Sequence, residues 1–312
     1  MSTSICVIGG GRWGENHIRT LHDMGCLAAI VEPDAIRLQE LTTRYDAAGH
    51  ASIDDAIVKK YDGYVVAAPA QLHYEIGMKL LGAGLPVLME KPMTLNSFEA
   101  VNLVEEAKST NTQLMVAHIL LFHPAIRKIK ELVGTGEIGE LYYLYSTRIK
   151  FGTIRTEENV FWSFAPHDIA VLNYIVGSPA NSMTFNKGNF LQSNICDYAL
   201  AQMEYPNNVK AHIFVSWLHP FKEQRLVAIG SKGMIWFDDA GDKQVHFCDK
   251  HVEWNNGIPS CSESESIVVP YETKMPLDEE LKYFINHLHS PLELCTGMDG
   301  YEVVKILENA QN

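Results

Sequence analysis

The stretch ICVIGGGRWG, residues 5–14, decides how the chain is expected to fold. Four apolar residues, Ile5-Cys6-Val7-Ile8, run straight into Gly9, Gly11 and Gly14 at the spacing G-x-G-x-x-G. Between a strand and a helix, such glycines permit a tight turn, close approach of backbone N–H groups to a pyrophosphate, and close helix–strand packing. The dipole of the following helix favours the same anion. Gly9, Gly11, Arg12, Trp13 and Gly14 are therefore candidate cofactor contacts. A glycine-rich turn that binds no dinucleotide would share the motif, so its context matters. The next apolar run, Leu27–Val31, ends in Glu32, 18 residues after Gly14. A carboxylate there binds a ribose 2′-hydroxyl and repels a 2′-phosphate. Pro33 and Asp34 follow it rather than an arginine, so NAD is expected, not NADP.

Outward from that motif, the first 120 residues alternate short apolar runs with amphipathic stretches. SICVIGG, CLAAIVE, GYVVAA, PVLME and TQLMVAH read as strands, and His17–Met24, Ala35–Tyr45, His73–Ala83 and Ser97–Lys108 as helices. Strands separated by helices of this length make right-handed βαβ units and a parallel sheet. From about Leu141 the rhythm changes to the longer strand patterns LYYLYSTRIKF, DYALAQMEY, VKAHIFVSWL, QRLVAIG and GMIWFDD. Hairpin-type breaks at Pro206-Asn207-Asn208 and Ser231-Lys232-Gly233 predict antiparallel pairing. The polar segment 261–276 reads as a loop, and helical patterns follow at Asp278–His289 and Met298–Ala310. The expected fold class is α/β, with a doubly wound nucleotide-binding domain over 1–120 and an α+β domain over 121–312. The last helix is expected to pack back on the first domain.

Composition narrows the function. A chain of 312 residues has room for two domains. Hydrophobic residues at 46% and a mean hydropathy of −0.06 fit a globular protein with a sizeable core. No run of about 18 apolar residues occurs, so no membrane span is expected. The start MSTSICVIGG enters a strand pattern with no basic region or small-residue cleavage site, which points to the cytoplasm. Six scattered cysteines without a CxxC pair read as reduced thiols, neither disulfides nor metal ligands. With 38 acidic against 25 basic residues the net charge is −13, which argues against nucleic acid or anionic membrane as a partner. An anionic small molecule needs only a local cationic pocket.

Later strand ends carry further candidates. Ala68 and Pro69 close the GYVVAA run, with His73 at the following helix start, and carboxyl ends of strands are where open α/β sheets bind ligands. A capping or surface role for His73 is the plainer alternative. The run Pro86–Met89 is followed by Glu90-Lys91-Pro92. A lysine at a central strand's carboxyl end faces the cofactor crevice, where it could hold a substrate hydroxyl. A plain surface Lys-Pro turn would look the same in sequence. Further on, His167 follows Pro166 ahead of the helical run Ile169, Leu172, Ile175 and Val176, which Gly177-Ser178-Pro179 stops. This predicts His167 at a helix N-terminus, where the dipole disfavours the imidazolium and leaves a neutral base. Asp168 would then complement the same dipole in the first turn.

GGGRWGENH, the Ala-Pro and His of AAPAQLH, MEKPMT and APHDI together resemble the glucose-fructose oxidoreductase/inositol dehydrogenase (Gfo/Idh/MocA) family, and the match spans nearly the whole chain. The resemblance implies a Rossmann domain followed by a domain built on a large open antiparallel sheet that supports the substrate pocket and mediates homodimers or homotetramers. It implies reversible hydride transfer between a sugar-like carbinol and NAD, with Lys91 central to catalysis. In many members a histidine partners the lysine and an aspartate stands four residues before it. Here that position is Ser163, so the expectation falls on Lys91 and His167 alone.

STRIKFGTIRTEENVFWSFAPHDIA and SWLHPFKEQRLVAIGSKGMIWFDD resemble the branch that oxidises the 3-hydroxyl of UDP-N-acetylglucosamine or its uronate. Those enzymes supply 3-keto sugars to aminotransferases that make 2,3-diamino sugars for lipopolysaccharide or lipid A. Arg148, Lys150 and Arg155 are candidate cations for a diphosphate or uronate, with Lys222 and Arg225 in reserve. Trp162 and Phe161 are candidates to pack a ring face, and Asn159 and Ser163 complete the expected substrate set. Salt bridges to Glu157, Glu158 and Glu223 are the plainer fate of these cations. Two rival functions remain: a same-family dehydrogenase of a free polyol or cyclitol, and a non-catalytic NAD-binding regulatory subunit.

Overall fold

The computed structural model describes residues 3–152 and 154–310. Two compact units form, one from the chain up to Ile119 with Met275–Glu308, the other from Leu120–Lys274 with the residues from Asn309.

In the first unit, Ile5–Ile8 form β1, buried throughout, as a strand covered on both faces must be. The chain continues through α1 (Arg12–Asp23), β2 (Leu27–Val31), α2 (Ala35–Tyr45), β3 (Ala48–His50), α3 (Ile53–Lys59) and β4 (Gly63–Val66). It then runs through α4 (His73–Gly82), β5 (Val87–Met89), α5 (Ser97–Ser109) and β6 (Leu114–Val116). The strands pair in parallel in the order β3-β2-β1-β4-β5-β6. Strand order reverses at β1 and β4, so their carboxyl ends flank the crevice where such sheets bind ligands. Pairing of Ile8 with Val66 brings Gly9 and Ala67 to that same end. Helix α1 begins at Arg12, not at the expected His17, because the glycine turn leads straight into it. β3 and α3 escape the sequence pattern: Ala48-Gly49-His50 has no apolar run, and α3 is only seven residues long.

The second unit contains α6 (Pro124–Gly134), β7 (Leu141–Phe151), α7 (Val160–Val176), β8 (Ser182–Gly188), β9 (Tyr198–Glu204) and β10 (Lys210–Ser216). It continues with β11 (Leu218–Gly230), β12 (Met234–Asp238), β13 (Val245–Cys248), β14 (Val252–Asn255), β15 (Ile258–Cys261) and β16 (Ile267–Val269). Eight strands form one sheet in the order β16-β13-β12-β11-β7-β10-β9-β8. Its pairings are antiparallel except that β10 runs parallel to β7, so the sheet is mixed. The breaks at 206–208 and 231–233 do join antiparallel neighbours. β14 and β15 pair as a separate hairpin. The segment expected as a loop contributes β16 to the sheet edge, since Ile267-Val268-Val269 supplies a short β-branched run. Helix α7 covers one face of the sheet, packing on β7, β9 and β10.

The last two helices, α8 (Pro276–Asn286) and α9 (Gly297–Asn309), fall in the segment assigned to the second domain, with only the last expected to pack back on the first; almost all of both belongs to the first unit. Packing explains the reassignment. Leu288 and Phe284 lie 2.7 and 3.1 Å from where a Cβ on Gly63 of β4 would stand, and Gly300 brings α9 equally close to Val116 of β6. Burying apolar side chains such as Leu281, Phe284, Val303 and Leu307 here contributes roughly 1.5–3 kcal/mol each.

A second correction concerns α7. It runs unbroken from Val160 with Pro166 inside it, so His167 lies at mid-helix and the dipole argument for its protonation state does not apply. The helix starts early because Asn159 caps it, its Oδ1 accepting from the N–H groups of Phe161 and Trp162.

Candidate functional site

In the first unit a cavity of about 640 Å³ opens at the carboxyl ends of the central strands. Its wall includes Gly9, Gly11, Trp13, Glu32, Ala68, Pro69, His73, Glu90 and Lys91. Each glycine of the turn has a separate reason. Gly9 has φ of +98°, and a Cβ there would lie 2.8 Å from the Ala67 carbonyl oxygen. A Cβ on Gly14 would stand 1.9 Å from the Gly9 carbonyl oxygen, so only glycine lets α1 pack on the turn. Around Gly11 the Cβ position meets nothing within 4 Å, so the missing side chain leaves room for a ligand. No side chain caps α1 at Gly11, and first-turn N–H groups without a cap are a ready anion site. Trp13 is exposed on the wall, whereas Arg12 is exposed outside it and Gly14 lies buried beneath.

Glu32 accepts from the Gly10 N–H at 2.8 Å and the Asp34 N–H at 3.1 Å, which aims its carboxylate from the end of β2 into the cavity wall. Arg37, the nearest cation along the chain, is committed to Glu15, Glu40 and the Gly10 carbonyl. Glycine turn, open Cβ position and carboxylate together fit a dinucleotide carrying a free 2′-hydroxyl. When bound, NAD supplies a hydride acceptor at its nicotinamide.

The Glu90-Lys91-Pro92 turn leaves β5 with a cis peptide before Pro92. His73 is buried and reaches two carbonyl oxygens, Pro92 through Nδ1 at 3.0 Å and Ala68 through Nε2 at 2.8 Å. It thereby ties the turns after β4 and β5 together. Burial holds its imidazole below the ordinary histidine range, although those two carbonyls and Glu90 oppose the shift. His73 thus shapes the wall through backbone contacts. Glu90 lies deeper, receiving His17 Nε2 at 2.7 Å and the Lys91 N–H at 3.1 Å. Burial works against the Glu90 charge, but the His17 hydrogen bond and the charges of His17 and Lys91 outweigh it, so its carboxyl sits below the ordinary range.

The second unit treats its candidates unequally. Arg148 is held by Asp168 in a two-pronged pair, Nε to Oδ2 at 2.8 Å and Nη2 to Oδ1 at 3.0 Å, with the Ser146 hydroxyl also on Asp168. Asp168 is therefore a buried anchor of α7, not a first-turn acid, and Arg148 is occupied structurally. Arg155 pairs with Glu158 at 3.0 Å and Arg225 with Asp238 at 3.3 Å. Lys150 lies over the Phe164 ring, and Lys222 is exposed. Phe161 and Trp162, expected to pack a ring face, are core residues at 1% and 5% exposure, Phe161 edge-on to Phe185. Asn159 uses its side-chain oxygen as the helix cap, and Ser163 is buried. His167 is half-buried on α7.

Several residues escaped the sequence reading. Ala51, Ser52 and Ile53 line the cavity from the unanticipated β3–α3 segment. His118, at the carboxyl end of β6, is buried beside Glu90 and Lys91; burial chiefly, and Lys91 secondarily, bring its pKa down to about 4 against the pull of Glu90. Its place at the end of TQLMVAH is the same strand-end signal that singled out Lys91.

Residues 3–118 match the family model described as oxidoreductase family, NAD-binding Rossmann fold, and residues 126–236 match the Gfo/Idh/MocA C-terminal domain. Inositol 2-dehydrogenase of Corynebacterium glutamicum strain R is 29% identical over 316 residues, covering 97% of this chain and 91% of that protein. UDP-N-acetylglucosamine 3-dehydrogenase of Acidithiobacillus ferrooxidans is 24% identical over 309 residues, covering 96% of this chain and 93% of that protein. The crystal structure of the latter enzyme, GnnA, superposes with a TM-score of 0.87 at 22% identity, over 100% of this chain and 97% of that one. The WlbA dehydrogenase of Bordetella pertussis, solved with NADH and UDP-GlcNAcA, superposes with a TM-score of 0.81 at 19% identity, over 99% of this chain and 95% of that one. At these identities the structural likeness is one of fold.

Proposed function

The chain belongs to the Gfo/Idh/MocA oxidoreductase family, with an NAD-binding Rossmann domain as its first unit, and on that premise we propose that it oxidises a nucleotide sugar. The substrate of this reading is UDP-N-acetylglucosamine or its uronate, and the product its 3-keto form. The observation that carries the reading is Lys91 on the wall of the same cavity as the glycine turn and Glu32. A lysine there donates a hydrogen bond to the reacting hydroxyl and stabilises its oxygen as the carbon–hydrogen bond breaks. His167 is assigned as acceptor of the hydroxyl proton, because an imidazole nitrogen can act as a general base. With Ser163 in place of an acid, the pair works as lysine and histidine alone.

The nucleotide sugar is supported by the similarity to the Acidithiobacillus enzyme over nearly the whole chain. Lys150, Arg155 and Lys222 are the cations proposed for its anionic groups, Arg148 being withdrawn from that set by Asp168. A 3-keto sugar is the substrate an aminotransferase requires, so such an enzyme would act next, toward 2,3-diamino sugars of lipopolysaccharide or lipid A in the cytoplasm. Self-association into a dimer or tetramer is assigned to the sheet of the second unit. A second reading, oxidation of a free cyclitol, is favoured by the 29% identity to inositol 2-dehydrogenase over 97% of the chain.

Lys91→Met and His167→Asn test the assignment. Both variants should retain NAD-induced thermal stabilisation and lose roughly 10²–10⁴ in turnover. Full activity in either removes that residue from the mechanism.

A further inference from the structure

Five buried polar atoms of the first unit have no hydrogen-bond partner among the described residues: Nδ1 of His17, both ring nitrogens of His118 and both carboxyl oxygens of Glu280. The three side chains are sealed, at 0%, 2% and 0% exposure. They come from three elements, α1, the turn after β6, and α8. Glu90 is what they share. His17 Nε2 lies 2.7 Å from Glu90 Oε1, and the Glu90 charge acts on both His118 and Glu280. Helix α8 packs against α1. One turn beyond Glu280, Phe284 stands 3.1 Å from the Cβ position of Gly63 on β4. The face of α8 that carries Glu280 is therefore turned into the unit, not to solvent.

A carboxylate sealed away without a donor is far costlier than a carboxylic acid that keeps its proton. Burial, and after it the Glu90 charge, push the Glu280 carboxyl well above the ordinary range. The titratable groups that act on or with Glu90 are His17 on α1, Lys91 after β5, His118 after β6 and His73 on α4, and Glu90 in turn acts on Glu280. Among the described residues no group of three or more His, Cys, Asp and Glu could hold a metal ion. Buried polar atoms that lack a protein partner are met by ordered water.

We propose that Glu280 is a resident carboxylic acid, linked through buried water to the Glu90 carboxylate, and so sets the charge behind Lys91. While Glu280 stays neutral, the carboxyl pair carries a single negative charge, which orients His17 and the Lys91 backbone N–H. Its ionisation would double that charge and hold the Lys91 ammonium more firmly. Glu280 is a positioning residue: it acts through Glu90 and touches no substrate. Its part in turnover rests on the reading of Lys91 given above; the proton on Glu280 does not.

Infrared spectroscopy of the full chain, with isotope-labelled glutamate to mark glutamate carbonyls, tests the proton without any substrate. At neutral pH the wild-type protein should show the carbonyl stretch of a buried glutamic acid. Glu280→Gln should lose that band and keep its melting temperature. If Glu280→Gln does not fold, Glu280→Asp serves instead: the band should leave the labelled position, because the acid is then an unlabelled aspartate. Absence of the band in the wild type, or its survival at the labelled position in either variant, overturns the proposal. For positioning, the pH profile of kcat decides. Glu280→Gln, fixed in the neutral state, should lose one ionisation from the basic limb with neutral-pH kcat retained, and an unchanged profile overturns the role. If no sugar is turned over, the pH dependence of NADH binding replaces kcat with the same two outcomes, which separates failure of the functional reading from failure of this one.

Discussion

Arg148 grips Asp168 through two contacts of 2.8 and 3.0 Å, so the residue next to His167 fastens α7 to β7. Asp168 is 2% exposed, and removal of one partner leaves a buried charge uncompensated. Arg148→Met should destabilise the second unit by roughly 3–5 kcal/mol in urea denaturation. The double variant Arg148→Met/Asp168→Leu should recover most of that loss, because it leaves no orphaned charge. Equal destabilisation in the single and double variants would contradict the account.

Gly11 and Gly14 should respond oppositely to alanine. A Cβ on Gly14 meets the Gly9 backbone carbonyl oxygen at 1.9 Å, whereas one on Gly11 meets nothing within 4 Å. Gly14→Ala should therefore lower the melting temperature of the protein without cofactor, at a cost of roughly 1–3 kcal/mol. Gly11→Ala should leave that temperature unchanged and weaken NAD, because the new methyl occupies ligand space. Calorimetric scans with and without NAD separate the two effects.

The Glu32 carboxylate at the end of β2 is fixed by the N–H groups of Gly10 and Asp34, and from that position it is predicted to set the cofactor choice. Glu32→Ala should weaken NAD by about tenfold or more, the worth of one hydrogen bond to a charged group. The same change should relax rejection of NADP, since the repulsion of a 2′-phosphate disappears. Titration calorimetry with both dinucleotides reads the two shifts.

His118 predicts a dependence of stability on acid. Its folded pKa of about 4 lies below the 6.5 of an ordinary histidine. Between those values the unfolded chain binds the extra proton, so stability rises with pH across that window and falls as pH drops through it. The full contribution is roughly 3 kcal/mol. His118→Leu removes it, and should also match or exceed wild-type stability at neutral pH, because two buried nitrogens without partners are replaced by an apolar side chain. Denaturation of both proteins from pH 4 to 7 measures the difference.

What could be read from the sequence follows from how local each signal is. The glycine turn, Glu32 and Lys91 were legible because strand-end chemistry is written in contiguous residues, and all three line one cavity. The long strands β7 and β9–β12 were legible from their runs of β-branched and aromatic residues. His167 was misplaced on its helix because a Pro before an apolar run resembles a helix start, while the true start depends on Asn159, eight residues before His167, where a cap is one polar residue among several. Arg148 looked like a free cation because Asp168 lies 20 residues away in sequence and meets it only once α7 lies on the sheet. Nothing in the sequence singles out Glu280, since its burial comes from a segment that returns to the first unit after the whole second sheet.

The central claim is tested most directly by following NADH formation with four substrates in parallel: UDP-N-acetylglucosamine, its uronate, myo-inositol and glucose, with the product of any turnover identified by mass and NMR. The account predicts NADH with at least one UDP-sugar, oxidation at its 3-position, and NADH formation from that substrate slowed by roughly 10²-fold or more with Lys91→Met. Turnover of myo-inositol or glucose with neither UDP-sugar oxidised would contradict it.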